Sequence, residues 1–293
     1  MREFLELRVA EEYAGELFAE TEGKLLGTPG QQSIRKVIIS TSDPRLPAIR
    51  DLQARLNANG RSFFYGWDFH RRYTPAELSA ARVFHVAALP TFEPEGEECG
   101  TAYDESTVCP ICKAGRQQCS PLRLDVRRIP RRGDWARSIA DDWVVSARLA
   151  KAMRDAHMQG IQLDPVQPRR PASPDSSPWY QLRPAGPPVD LLPETRFGIG
   201  PFDDDTAGQY RCPVGCISGL NLLSDVHVAE PGLGMLDFAV SKQRYGVRRG
   251  QLVPRPLLLI SPRLRALLVE LGVRGCKIEV AQVGAPSAGV QPN

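Results

Sequence analysis

No stretch of this 293-residue chain approaches 18 consecutive apolar residues, so no membrane-spanning helix is expected. The opening residues, MREFLELRVAEEY, put acids where a secretory leader carries positive charge and then an apolar run, so none is expected here. A basic block is also missing: 37 Lys and Arg against 34 Asp and Glu leave a net charge of only +3. Arg far outnumbers Lys, a pattern of GC-rich genomes more than of nucleic-acid surfaces. Histidine is scarce, at four residues. None of His70, His85, His157 and His227 has a Ser, Cys or Asp partner at a recognisable catalytic spacing, and all four read as satisfied or surface side chains. There is no Walker motif. Gly198-Ile199-Gly200 lacks the rest of a dinucleotide fingerprint, and FDDDTAG (202–208) lacks the EF-hand pattern and reads as a solvated turn. No enzyme is legible, and the expected location is the cytoplasm.

The chain is long enough for one large or two medium domains, and 42% hydrophobic with 24% charged residues is ordinary for a globular protein. What stands out is cysteine. Seven cysteines in a cytoplasmic chain read first as metal ligands or redox groups. Four lie in two proline-containing turns, CPIC (Cys109 to Cys112) and CPVGC (Cys212 to Cys216). Two chelating turns satisfy tetrahedral Zn²⁺, so Cys109, Cys112, Cys212 and Cys216 are the expected ligands of a structural zinc. Four thiolates leave no open position for catalysis at the metal. Alternatives remain: Cys99 and Cys119 could make a local site with the first turn, His227 could replace a thiol, or the metal site could be lost. A thioredoxin-type redox turn needs a helix start after a strand, which does not precede Cys109.

Residues 1–92 read as a mixed α/β segment. REFLELRVA, KVIIST, RSFFYGWDFHRRY and ARVFHVAAL read as strands, LPAIRDLQARLNA as a helix ending at Asn59-Gly60, and Thr74-Pro75-Ala76-Glu77 as a capping box. Residues 93–166 follow as a first cysteine-turn half. Residues 167–200 are a Pro/Ser-rich linker, 201–283 a second cysteine-turn half, and 284–293 a disordered tail. The halves share an order of landmarks: cysteine turn, strand, Asp-[Trp/Phe]-Ala-x-Ser, strand, Ser-capped helix, Gly, strand. WVVSARLAKAMRDAHMQGIQLDPV (143–166) and LLISPRLRALLVELGVRGCKIEV (258–280) align without a gap at an offset of 261 − 146 = 115. Asp134 and Asp237, and Cys109 and Cys212, match at 103. The expected fold is α+β, with two related strand–helix–strand halves behind an N-terminal α/β segment.

The paired cysteine turns, the stretch Phe197-Gly198-Ile199-Gly200-Pro201 and the ending LLISPRLRALLVELGVRGCKIE resemble the myxobacterial double-CXXCG motif family, over about residues 100–283. Lys113 follows Cys112 where that family has Gly, and the second turn has three intervening residues and then Ile217. Some members are classed as immunity proteins of swarming-inhibition or other polymorphic toxins. The resemblance implies a cytoplasmic protein that neutralises a toxin, from a neighbouring gene, by binding it. A zinc-ribbon-like nucleic-acid-binding or regulatory protein is the alternative. Arg71, Arg72, Tyr73, Arg244 and Tyr245 are candidate contact residues only because Arg and aromatic side chains commonly anchor interfaces.

Overall fold

The computed structural model describes residues 1–27, 33–130, 133–170, 178–203, 212, 216–218, 221–230, 234, 236–246 and 253–285. The fold is mixed α+β with more strand than helix. It divides into two compact units, Met1–Ala80 with Gly200–Asp204, and Ala81–Ile199 with Asp205–Asn293.

The smaller unit is built on β1 (Arg2–Ala10). This strand is followed by α1 (Glu11–Ala14), β2 (Lys24–Leu26), β3 (Ile34–Ser40), α2 (Leu46–Ala58), β4 (Phe64–Arg72) and α3 (Pro75–Ala80). The sheet order is β2-β3-β1-β4, with every pair antiparallel. Leu5, Leu7 and Val9 alternate into the core, as a half-buried strand requires. α2 buries Ile49, Leu52 and Leu56 and ends where Gly60 takes φ 67°. α3 starts with the expected capping box: Thr74 N–H donates to Glu77 at 2.7 Å, and Glu77 N–H donates to Thr74 Oγ1 at 3.2 Å.

The larger unit has two principal sheets. In chain order its main elements are β5 (Val83–Ala88), β6 (Thr91–Phe92), β7 (Trp135–Ser138), β8 (Trp143–Ser146), α4 (Ala147–Asp155), β9 (Ile161–Pro165), β10 (Trp179–Pro184), β11 (Val226–Ala229), β12 (Phe238–Gly246), β13 (Arg255–Ile260), α5 (Pro262–Glu270) and β14 (Lys277–Gly284). One sheet runs β9-β10-β8-β7-β6. The other runs Ile217–Ser218, β12, β13, β5, β14, β11. Residues 83–92, read from the sequence as part of the N-terminal segment, thus supply a strand to each large sheet. The 167–200 stretch, read as linker, contains β10, a strand of the five-stranded sheet; residues 171–177 within it lie outside the described residues. Of the expected tail, residues 286–293 also lie outside them.

Both aligned segments form strand, helix and strand, and their helices start the same way. Ser146 Oγ accepts from Leu149 N–H, and Ser261 Oγ from Leu264 N–H. Each serine hydroxyl also donates to an aspartate just before the neighbouring strand, Ser146 to Asp134 (before β7) at 2.6 Å and Ser261 to Asp237 (before β12) at 2.7 Å. An arginine two residues beyond each serine pairs with the same aspartate, Arg148 with Asp134 and Arg263 with Asp237. These arginines then cross to the other helix. Arg148 donates to the Leu271 carbonyl at the end of α5 (2.9 Å), and Arg263 donates to the Ala156 carbonyl at the end of α4. Each guanidinium so satisfies a helix-end carbonyl where positive charge is favoured. Ser146→Ala and Ser261→Ala should each cost about 1 kcal/mol, the usual worth of an N-cap. Urea denaturation of the two variants should give equal losses.

Candidate metal centre

Two distant turns bring their thiols together. In the first, Lys113 N–H donates to the Cys109 carbonyl (2.8 Å) and Cys109 N–H to the Ala114 carbonyl (2.9 Å), so the backbone closes tightly around the sulfur. Lys113 adopts φ 59°, the left-handed region that favours glycine. That is the physical reason a CXXCG pattern carries Gly there, and Lys113 accepts the strain instead. The second turn closes through Cys212 N–H to the Cys216 carbonyl (2.9 Å); its interior, residues 213–215, lies outside the described residues.

The Sγ atoms of Cys109, Cys112 and Cys212 all lie within 4.8 Å of one another. Cys216 packs in the same buried cluster, and its thiol interacts with those of Cys112 and Cys212. All four residues are buried and unbridged. The Cys109 to Cys212 sulfur separation is 3.7 Å. A disulfide needs about 2.05 Å. A tetrahedron with metal–sulfur bonds of about 2.3 Å has sulfur–sulfur edges of about 3.8 Å. The residues therefore fit a four-coordinate, thiophilic metal ion. Backbone donors stand ready for thiolate charge: Cys112 N–H points at Cys109 Sγ (3.5 Å) and Cys216 N–H at Cys212 Sγ (3.2 Å). The N–H of Cys112, seconded by that of Ile111, draws the Cys109 thiol down to about 7, whereas burial pushes Cys112 and Cys216 up.

Of the alternative ligands, Cys99 is buried outside this cluster, Cys119 is exposed, and His227 lies on β11. None belongs to the thiol group.

A polar network braces the first turn. Arg116, four residues past Cys112, donates to Glu95 (2.5 Å) and Glu97 (2.8 Å) and lies over the Tyr103 ring at 4.0 Å. The Tyr103 hydroxyl donates to Asp142 (2.8 Å), which also accepts from Ser138 Oγ (2.7 Å) and Gly96 N–H (3.0 Å). Burial pushes the Glu95 carboxyl and the Tyr103 phenol above their ordinary values. The sequence carries no sign of this network, because its members are spread from residue 95 to 142. Beside it is a cleft of about 250 Å³, lined in part by Arg116, Asp141, Trp143, Arg244 and Arg255.

None of the other sequence candidates belongs to the thiol cluster. His70 Nε2 lies 2.9 Å from Glu6, and His85 is buried opposite Leu259 and Glu279. His157 follows α4 at φ 48°. Arg71 pairs with Glu3 at 2.8 Å with its side chain only 3% exposed, and Arg72 lies over the Phe4 ring at 5.0 Å. Tyr245 packs on Phe197 at 5.4 Å, and burial pushes its phenol up to about 12. Among the described residues no helix is long and apolar enough to cross a membrane. The chain matches no family model and no curated protein.

Proposed function

We propose that this chain is a cytoplasmic, zinc-stapled binding protein that neutralises a bacterial toxin by occupying it. The observation that carries the zinc assignment is the 3.7 Å sulfur contact between two turns 212 − 109 = 103 residues apart, inside a buried four-cysteine cluster. Zn²⁺ is the ordinary occupant of such a closed thiolate set, and its role there is to hold the turns. The immunity reading rests on the resemblance of the cysteine turns and the LLISPRLRALLVELGVRGCKIE ending to the double-CXXCG family. Lys113 at φ 59°, where that pattern has Gly, accords with it.

The two cysteine-turn halves are read as copies of one ancestral unit. Matched registers support this. Trp135 faces Val145 as Phe238 faces Ile260, with offsets of 238 − 135 = 103 and 260 − 145 = 115, those of the sequence alignment. The reciprocal Arg148 and Arg263 bonds to the opposite helix ends follow the same offset, 263 − 148 = 271 − 156 = 115.

Co-expression tests the function. The chain should rescue growth of cells making the toxin encoded beside its gene, and the two proteins should co-purify. Rescue without a complex, with the toxin or its target chemically altered, would make the protein an enzyme. Salt-sensitive binding to arbitrary DNA in place of rescue would favour the nucleic-acid reading.

A further inference from the structure

We infer that the two halves are joined by reciprocal strand exchange: each large sheet holds a central slot whose occupant is the first strand of the other half. The inference rests on the reading of the chain as two related halves.

The corresponding stretches of the two sheets run β7-β8-β10-β9 and β12-β13-β5-β14. β10 therefore stands in the first sheet where β5 stands in the second. Each is antiparallel to both neighbours. The registers agree residue by residue. Val145 faces Tyr180 as Ile260 faces Phe84, and Leu163 faces Leu182 as Ile278 faces Val86. In both pairs the outer strands are offset by 115 and the slot strands by 180 − 84 = 182 − 86 = 96. β5 and β10 are thus equivalent, and each opens its own half once the halves read from the sequence as 93–166 and 201–283 are extended back to residues 83 and 179. Yet β5, which precedes the first cysteine turn, lies in the sheet of the second half. β10, which precedes the second turn, lies in the sheet of the first. The residues that follow return to their own sheets. Phe92 in β6 pairs in parallel with Ser138, and Val189 pairs in parallel with Ser241, 103 residues further on.

For the first half, chain length forbids the unexchanged arrangement. β6 lies three strand spacings from the slot of its own sheet, about 14 Å at about 4.8 Å each. Only Leu89 and Pro90 separate β5 from β6, three Cα steps that reach at most about 11 Å. With β6 paired to β7, β5 cannot occupy its own slot and must be given away. Its donation fills the second sheet and leaves the first sheet open to β10.

The device makes each half a structural part of the other, independently of the cysteines. A protease site inserted between residues 174 and 175 of the full-length chain tests it. Once cut, the two fragments should elute together at the volume of the intact chain, with or without a thiol-selective chelator. They should part only in denaturant, with a midpoint that falls on dilution for the cut chain alone. Fragments that separate in native buffer, or as soon as metal is withdrawn, overturn the exchange; the likeness of the halves would still be judged by the equal effects of Ser146→Ala and Ser261→Ala. The pairs Gln162→Cys with Arg183→Cys, and Ala88→Cys with Lys277→Cys, face each other across the two slots. Each oxidised pair should link the fragments within a single chain. Failure of both pairs to link, or linkage only into covalent dimers of two chains, overturns the inference.

Discussion

Cys212→Ser should abolish the zinc binding proposed above and lower the melting temperature by roughly 10 °C, and Cys109→Ser should do the same. Loss of a metal is among the few single changes that cost several kcal/mol, and in a domain of this size each kcal/mol moves the midpoint by about 2–4 °C. The thiols sit in one buried cluster, so removing one leaves three sulfurs that cannot complete a tetrahedron. Native mass spectrometry should find about one zinc per wild-type chain and none in either variant. Equal losses from the two changes are the mark of a site shared between turns. A loss confined to Cys109→Ser would mean a local site with Cys99 and Cys119. Because strand exchange holds the halves, the zinc-free variants should stay folded as monomers at low temperature.

Trp135→Ala costs about 3–5 kcal/mol, the range for a buried large aromatic cut back to alanine. That is a large share of the roughly 5–15 kcal/mol that a folded domain has to spare. Trp135 is 0% exposed and lies 6.2 Å, centroid to centroid, from Phe238, which is also fully buried. The two occupy matched positions on β7 and β12, so their contact joins the paired sheets. Phe238 also meets Trp143 edge-on at 6.0 Å. Phe238→Ala should therefore cost a similar amount. The double variant should cost less than the sum by about 0.5–1.5 kcal/mol, the usual coupling of an aromatic pair. Urea titration of the four proteins measures this. Strict additivity would mean that the rings act separately.

The local elements were legible because local forces make them. The capping box at Thr74, the helix stop at Asn59-Gly60, the apolar stripe after Ser146 and Ser261, and the alternation of β1 are written within a few residues of where they act. The likeness of residues 143–166 and 258–280 was equally plain, as were the cysteines that gather, since chelating spacing is a property of short turns. Asp134 and Asp237 could be matched as landmarks, but their task could not be read. Each accepts from a serine 12 or 24 residues on, and the arginine it holds reaches a helix end 123 or 107 residues away.

Sequence by itself thus determined the α+β class, the helix caps and the four buried thiols. Tertiary structure decided which strand enters which sheet. Residues 83–88 carry the same apolar run, with its first four residues buried, whether they stand in one sheet or the other. The period of a strand records only which face is buried, and never the identity of the neighbour. That choice was made by the two-residue reach from β5 to β6, by the slot left between β13 and β14, and by the requirement that every buried backbone group find a partner.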